Sequence, residues 1–320
     1  MDLLCWVVTE GMAGTENQCL GVAEALDTTP IVKRIALRQP WKSLSPWLGS
    51  ETDKIFLPIG DKLLPPWPDV ALVAGRKAIA AARYIKKESR GKTLVVFLQD
   101  PRISSSQFDL IAVPEHDRLR GPNVIVTAAA ANRITPERLE YEREAFSDAF
   151  EPLPAPRIAV LIGGDSRAYK MTETVTRKLA MQLRALALDG RYSVMVTTSR
   201  RTGAANQAIL DEALLDTPAW VWDGLSDNPY FGFLGWADVI LVTADSVSMM
   251  SEAGTTGKPV YMIPLEGGHP RITKFHQNMM ARGVLRVFDG VVENWTYPPL
   301  NDAALIAGEI KKRLEMRISG

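Results

Sequence analysis

Cysteine is nearly absent from this sequence: two in 320 residues, Cys5 and Cys19, both in apolar N-terminal segments. That argues against a disulfide framework or a structural zinc site and fits a reducing compartment. An excess of one charge sign is missing too. Lysine plus arginine and aspartate plus glutamate are equal at 37 each, and residues 1–150 hold 19 of each sign. Without a basic half or stripe, nucleic-acid binding loses its electrostatic footprint. No apolar run approaches the roughly 20 residues that span a bilayer. The opening Met-Asp-Leu-Leu-Cys-Trp-Val-Val has no cationic segment and passes directly into a strand-like run, which predicts no signal peptide. There is no short-period repeat and no low-complexity segment. Together these absences predict a cytoplasmic protein, at most peripheral to the inner membrane.

What is present is an ordinary globular composition, 46% hydrophobic and 23% charged, at a length that suits two α/β domains. Short apolar runs at Leu3–Thr9, Ile55–Ile59, Val70–Ala74, Thr93–Leu98 and Leu110–Val113 read as buried strands. Helices are expected over Glu16–Leu26 and Lys77–Glu88. Buried strands alternating with helices predict a parallel sheet covered on both faces. A charged helix over Pro136–Phe150 is followed by Glu-Pro-Leu-Pro-Ala-Pro at 151–156, which reads as a semi-rigid linker. The pattern then restarts with strands at Arg157–Ile162, Ser193–Thr197, Val239–Val242 and Pro259–Ile263. Its helices are expected at Thr172–Leu188, Gly203–Leu215, Ser246–Thr255 and Asp302–Glu315. The expected architecture is two doubly wound, Rossmann-like domains, 1–150 and 157–301, facing across a cleft, with a helix over 302–320 packing back on the first.

Ligands of open parallel sheets collect at the carboxyl ends of the strands. The first such loop, Thr9 to Gln18, carries Glu10, Gly11, Gly14, Thr15 and Glu16. Its two glycines could let backbone amides approach an acceptor, though the loop also reads as a plain βα turn. It is not GxGxxG, so a dinucleotide cofactor has no support. The second domain opens alike, with Gly163-Gly164-Asp165-Ser166. Next, Thr198-Ser199-Arg200-Arg201-Thr202 ends a strand, where hydroxyls and paired guanidiniums suit a diphosphate. The alternative for Arg200 and Arg201 is a solvated charge pair. Trp41, Trp47 and Trp67, among prolines and leucines, read either as aromatic packing or as an apolar lip for a lipid.

The most informative stretch is Val242-Thr243-Ala244-Asp245-Ser246-Val247-Ser248-Met249-Met250-Ser251-Glu252-Ala253-Gly254-Thr255-Thr256-Gly257-Lys258-Pro259. A strand ends at Asp245-Ser246, which can cap a helix carrying Glu252, and Gly257-Lys258-Pro259 stops that helix. This run resembles the donor-site signature of GT-B glycosyltransferases of the MurG kind. The resemblance implies that Glu252 bonds the ribose of a UDP-sugar, with Asp245, Ser246 and Ser248 beside the phosphates or the sugar. Phe275-His276-Gln277-Asn278 and the following Gly283 are similar to another segment of that family. They imply that Gln277 contacts the transferred sugar, beside His276 or Asn278, with Gly267–Arg271 a mobile loop.

Nearly the whole chain also resembles the bacterial branch of the mitochondrial-fission ELM family, itself predicted to have a GT-B fold. The matching pieces are Glu10–Leu26, Pro68-Asp69, Ala74-Gly75-Arg76-Lys77, Gln99-Asp100-Pro101-Arg102 and Pro114-Glu115-His116-Asp117. In the second half they are Leu161–Ser166, Thr198–Thr202, Asn228-Pro229-Tyr230-Phe231 and Thr243–Gly257. Plant members of that family are implicated in organelle division, and bacterial members are associated with envelope glycan or glycolipid synthesis. The implied activity is transfer of a sugar from a nucleotide-diphosphate sugar, UDP-linked, to a lipid or glycan acceptor. No Asp-x-Asp motif occurs, so neither a metal nor a cofactor is expected. An inverting transfer needs a base. MurG-type enzymes carry a histidine in the first loop, where this chain has Thr15, so the candidates become Asp100, His116 and Glu16, with Glu10 beside them. The carboxylates of Glu115 and Asp117 would favour a charged His116, while Asp100 could instead pair with Arg102. The alternatives are a GT-B adaptor without turnover and a nucleotide-sugar 2-epimerase.

Overall fold

The computed structural model describes residues 3–48 and 52–319, with side chains as far as Arg317 at the C-terminal end. The chain divides into two compact units, Met1–Arg133 with Asn301–Gly320, and Ile134–Leu300.

In the first unit, strands β1 (Cys5–Thr9), β2 (Ile31–Arg34), β3 (Val70–Val73), β4 (Leu94–Leu98), β5 (Leu110–Pro114) and β6 (Val124–Thr127) form one sheet. Its order is β2-β1-β3-β4-β5-β6, and every pairing is parallel. Helices α1 (Ala13–Ala25), α2 (Trp41–Leu44) and α3 (Ala78–Glu88) alternate with the strands. Side chains on a strand point alternately to its two faces, and here both faces are buried. Trp6, Val8, Ala71, Val73, Val95 and Phe97 meet α3 on one side. Cys5, Val7, Val70, Leu72, Leu94 and Val96 meet α1 on the other. Cys5 and Cys19 lie in that second layer, and burial pushes the Cys5 thiol up to about 12, so neither is a nucleophile. The expected strand over Ile55–Ile59 is instead a 3-10 turn, Asp53–Ile55, leading into a reverse turn. The pairing there is an isolated antiparallel bridge of Phe56 with Leu37, closed by the Ile55 carbonyl and the Leu57 amide, because Pro58 and Gly60 end the extended run. Trp67 packs on Trp6 and Tyr84, whereas Trp47 is exposed under the Arg76 guanidinium.

The second unit begins earlier than the proline-rich stretch. Helices α4 (Pro136–Ala145) and α5 (Ser147–Phe150) belong to it. The boundary expected after residue 150 therefore moves to 133. The reason is glycine: a Cβ on Gly232 would lie 2.7 Å from the Phe146 ring, and one on Gly235 would lie 2.7 Å from the Leu139 carbonyl. Only glycines there let the segment 136–150 sit so close to the later helix 230–236. Phe150 completes the contact against Phe233 and Trp220.

The sheet of this unit contains β7 (Arg157–Leu161), β9 (Ser193–Thr197), β10 (Ala219–Val221), β11 (Val239–Thr243), β12 (Val260–Ile263) and β14 (Leu285–Val287). Its order is β10-β9-β7-β11-β12-β14, again all parallel. The connecting helices are α6 (Glu173–Leu188), α7 (Ala204–Leu214), α8 (Tyr230–Trp236), α9 (Val247–Thr255) and α10 (Pro270–Ala281). A small antiparallel ribbon pairs β8 (Tyr169–Lys170) with β13 (Glu266–Gly267). The loop over Gly267–Arg271 leaves this ribbon and enters α10 through Pro270, with His269 as N-cap.

The last helix, α11 (Asp302–Ser319), returns to the first unit as the sequence predicts. Ile306 and Ile310 enter the α1 layer, and the Asp302 carboxylate accepts the Ala128 and Ala129 amides at 2.8 and 3.0 Å. Each unit is a doubly wound α/β domain. In each, the strand order reverses beside the first strand, between β1 and β3 and between β7 and β11.

Candidate functional site

In the second unit the reversal point carries the residues singled out by sequence. Gly163 and Gly164 follow β7. The Gly163 amide donates to Thr243 Oγ1 at 2.8 Å and the Gly164 amide to Asp245 Oδ1 at 3.3 Å, so the loops after β7 and β11 are tied directly. Both glycines are required. A Cβ on Gly163 would sit 2.4 Å from Asp245 Oδ2, and Gly164 has φ +120 with its Cβ position 2.3 Å from the Arg201 carbonyl.

The loop after β9 separates its two arginines. Arg201 donates to Asp245 Oδ2 at 2.6 Å, and that carboxylate is fully enclosed. Arg200 is exposed and, among the described residues, has no ion-pair partner. Ser199 is also engaged: its hydroxyl donates to the Gly163 carbonyl and accepts the Arg201 amide at 3.1 Å. Thr202, the last residue of that run, is buried and donates to the same Gly163 carbonyl at 3.0 Å. Asp245, Arg201 and Ser199 thus build the loop framework, which leaves Arg200 as the exposed cation at this edge.

Ser246 caps α9, accepting the Met249 amide at 3.4 Å. Ser248, half-buried, lies in the first turn, where backbone amides lack helical partners and the helix dipole favours an anion. Glu252 follows on the same helix. It is 8% exposed, so it is not the solvated helix carboxylate that its spacing alone allows. Burial pushes its carboxyl up to about 7, against opposing effects of the Tyr230 hydroxyl, which donates to Oε2, and of the Arg138 charge. Arg138 lies over the Phe231 ring at 4.0 Å. Tyr230 stood in the sequence only as part of the matching segment Asn228–Phe231, with no role attached, and Arg138 gave no signal of its own on the charged helix α4.

On α10, Gln277 is exposed while its neighbour His276 is buried. The His276 ring bonds the Ala244 backbone, which draws α10 to the loop before α9, and burial lowers its pKa. Among the described residues its Nε2 has no partner. His269 is exposed and spends Nδ1 on the Arg271 amide at 3.3 Å.

In the first unit the corresponding reversal point is spanned by an ion pair. Glu10, after β1, accepts both the Lys77 ammonium at 2.6 Å and the Lys77 amide at 3.1 Å. Gly11, with φ +81, donates to Thr9 Oγ1 at 3.0 Å, and Gly14 is exposed in the first turn of α1. Thr15 turns its hydroxyl to the Met12 carbonyl at 2.9 Å. Glu16 is held by the Arg34 guanidinium at 2.7 and 2.9 Å, which keeps its carboxyl below the ordinary range. Asp100 accepts the Arg102 amide at 2.9 Å and lies 3.4 Å from its guanidinium, the pairing that the sequence left open. The preceding Gln99 has φ +131, a backbone region that side chains disfavour. His116, just past β5, is buried. These candidates do not form one cluster. β1 and β5 are three places apart in the sheet, about 14 Å at ordinary strand spacing.

Among the described residues, no group of His, Cys, Asp and Glu is placed to hold a metal ion, and no helix is long and apolar enough to cross a membrane.

Residues 13–314 match the family described as Mitochondrial fission ELM1. This chain belongs to that family. A plant relative, mitochondrial fission protein ELM1 of Arabidopsis thaliana, is 33% identical over 278 residues, 78% of this chain and 65% of the plant protein. The match thus spans just under two thirds of that relative. Among solved structures, UDP-GlcNAc 2-epimerase from Methanocaldococcus jannaschii aligns with a TM-score of 0.59 and 13% identity, covering 97% of this chain and 99% of the other. MurG from Acinetobacter baumannii aligns with a TM-score of 0.52, 13% identity and the same two coverages. The ELM1-family chain therefore has the GT-B fold, as its two doubly wound units imply.

Proposed function

We propose that the second unit binds a nucleotide-diphosphate sugar, UDP-linked, and that the protein transfers the sugar, without a metal, to a lipid or glycan acceptor of the cell envelope. The observation that carries this reading is Glu252, a nearly enclosed carboxylate one to two turns into a capped helix at the reversal point of the sheet. Burying a carboxylate there costs stability, and the arrangement gains a purpose if the group accepts hydroxyls of a ribose. The free amides of the first α9 turn and the Arg200 guanidinium can take the charge of the diphosphate, both in the bound donor and as the leaving group forms. Gln277 and Ser248 are the candidates for contact with the sugar. The M. jannaschii epimerase, which shares the fold, was solved with UDP-GlcNAc and UDP. In the first unit, the acceptor side, Asp100 or His116 would take the acceptor proton. Action at the cytoplasmic face of the inner membrane fits a lipid acceptor.

The test is calorimetry of the purified protein with UDP-sugars, with and without Mg²⁺. Metal-independent binding is expected, and Glu252→Ala is expected to abolish it while the circular dichroism spectrum is retained. Unchanged affinity in that variant would refute the donor site.

A second reading, a GT-B binding protein without turnover, is favoured by one observation. Glu16 is engaged by Arg34 and Asp100 by Arg102. Incubating the protein and labelled UDP-sugar with an envelope lipid extract separates the two readings: label in the lipid phase supports transfer, and donor binding without it supports the adaptor.

A further inference from the structure

The segment Asn228-Pro229-Tyr230-Phe231 runs from the loop after β10 into α8, and among the described residues it provides the hydrogen-bond donor that reaches Glu252. Asn228 Oδ1 accepts the Tyr230 amide at 3.1 Å, and buried Pro229 leads into α8. Together they aim Tyr230 inward. The residue is half-buried as a whole but its hydroxyl end is enclosed, and it donates to Glu252 Oε2. The adjacent Phe231 lies under the Arg138 guanidinium at 4.0 Å, and Glu142 holds the same guanidinium at 3.3 Å. Successive residues of one short segment therefore fix two groups that favour an ionised Glu252.

A carboxylate with both oxygens loose rotates about its last torsion and offers no defined acceptor. A carboxyl that has taken up a proton presents a donor where a hydroxyl also donates. Either state is poor for reading two neighbouring hydroxyls. We propose that Tyr230 is a positioning residue for ribose recognition, fixing one oxygen of Glu252 so that the other faces the vicinal hydroxyls of the nucleotide. This inference rests on the nucleotide reading above and extends it to the first residue of α8.

The experiment compares UDP with 2′,3′-dideoxy-UDP by calorimetry on the wild type, Tyr230→Phe, Glu252→Gln and the double variant. The wild type is expected to prefer UDP by about tenfold or more, the worth of hydrogen bonds to a charged group. Tyr230→Phe removes one oxygen atom. It is expected to lose most of this preference while affinity for the dideoxy nucleotide holds, and to move the rise of UDP binding to higher pH. The double variant should lose no more than Glu252→Gln alone. A tyrosine that only supports packing would weaken both ligands alike, or neither, and an unchanged ratio in a folded Tyr230→Phe overturns the inference. A second readout needs no variant: the wild-type ratio is expected to rise with pH as Glu252 ionises, and a pH-flat ratio also overturns it. If the wild type binds no nucleotide, the donor reading itself fails and takes this inference with it. Binding with an unaltered ratio in Tyr230→Phe removes the inference alone.

Discussion

Arg200 and Arg201 are adjacent and chemically identical, and nothing in their spacing tells which one is structural. The fold separates them. Arg201 neutralises the enclosed Asp245 carboxylate, whose other partner is the Gly164 amide. Removing it leaves a buried charge short of a partner. Arg201 is itself 44% exposed at the side chain, so Arg201→Ala is expected to cost about 1–3 kcal/mol in urea unfolding. Arg200→Ala should stay within about 0.5 kcal/mol of the wild type and instead weaken UDP binding, as titration would register. Glu252 makes a second expectation at this scale. Its folded-state pKa, about 7, lies above the ordinary 4.5. Between those values the folded protein holds a proton that the unfolded chain has released, so stability falls as pH rises through this window and is flat above it. Glu252→Gln lacks this titration and should gain on the wild type by up to about 3 kcal/mol between pH 4.5 and 7. Melting curves across that range check it; a constant difference would contradict it. Glu252 itself was visible in the sequence through its place on a capped helix after a strand. Its burial was not, since that depends on Tyr230, 22 residues earlier.

At the scale of elements, the strands that the sequence reveals are the ones buried on both faces, such as Leu94–Leu98 and Val239–Thr243. The missed strands of the two main sheets, β2, β6, β10 and β14, are only partly buried, and Ile31–Arg34 mixes polar and apolar residues without a clean alternation. Helix α8 was missed for a different reason. Its Tyr-Phe-Gly-Phe-Leu-Gly-Trp has two glycines, which lower helix propensity, and tertiary contact decides its conformation. Those same glycines carry the contact with α4. Gly235→Ala would bring a Cβ within 2.7 Å of the Leu139 carbonyl and 3.3 Å of Arg143 Cβ. α4 must then shift, at an expected cost of about 1–3 kcal/mol in urea unfolding. Because Arg138 rides on α4, the same variant should also weaken nucleotide binding, although it touches no proposed ligand. Wild-type affinity in a destabilised Gly235→Ala would show that α4 only supports the fold.

For the whole molecule, two doubly wound units were legible from the alternation of apolar runs and helices. The exact division was not. Three prolines at 152, 154 and 156 read locally as a hinge, whereas the contacts of residues 136–150 with α8 lie far ahead in sequence and leave no local mark. The candidate bases show the limit of strand-end reasoning from the other side. Each of Glu10, Glu16, Asp100 and His116 does follow a strand of the first sheet. Sequence gives no lateral coordinate, however, and the structure spreads them along the sheet edge.

The first unit is also discontinuous, because residues 134–300 are inserted between its sheet and its last helix. This imposes an order on biosynthesis. All six strands of the first sheet leave the ribosome before any of the second unit. The face that receives Ile306 and Ile310 stays uncovered until 167 further residues have been made. At about 5–20 residues per second, that leaves an apolar sheet face open for roughly ten seconds or more. The inserted unit can complete its own sheet meanwhile, so the second unit is ready to fold before the first one closes.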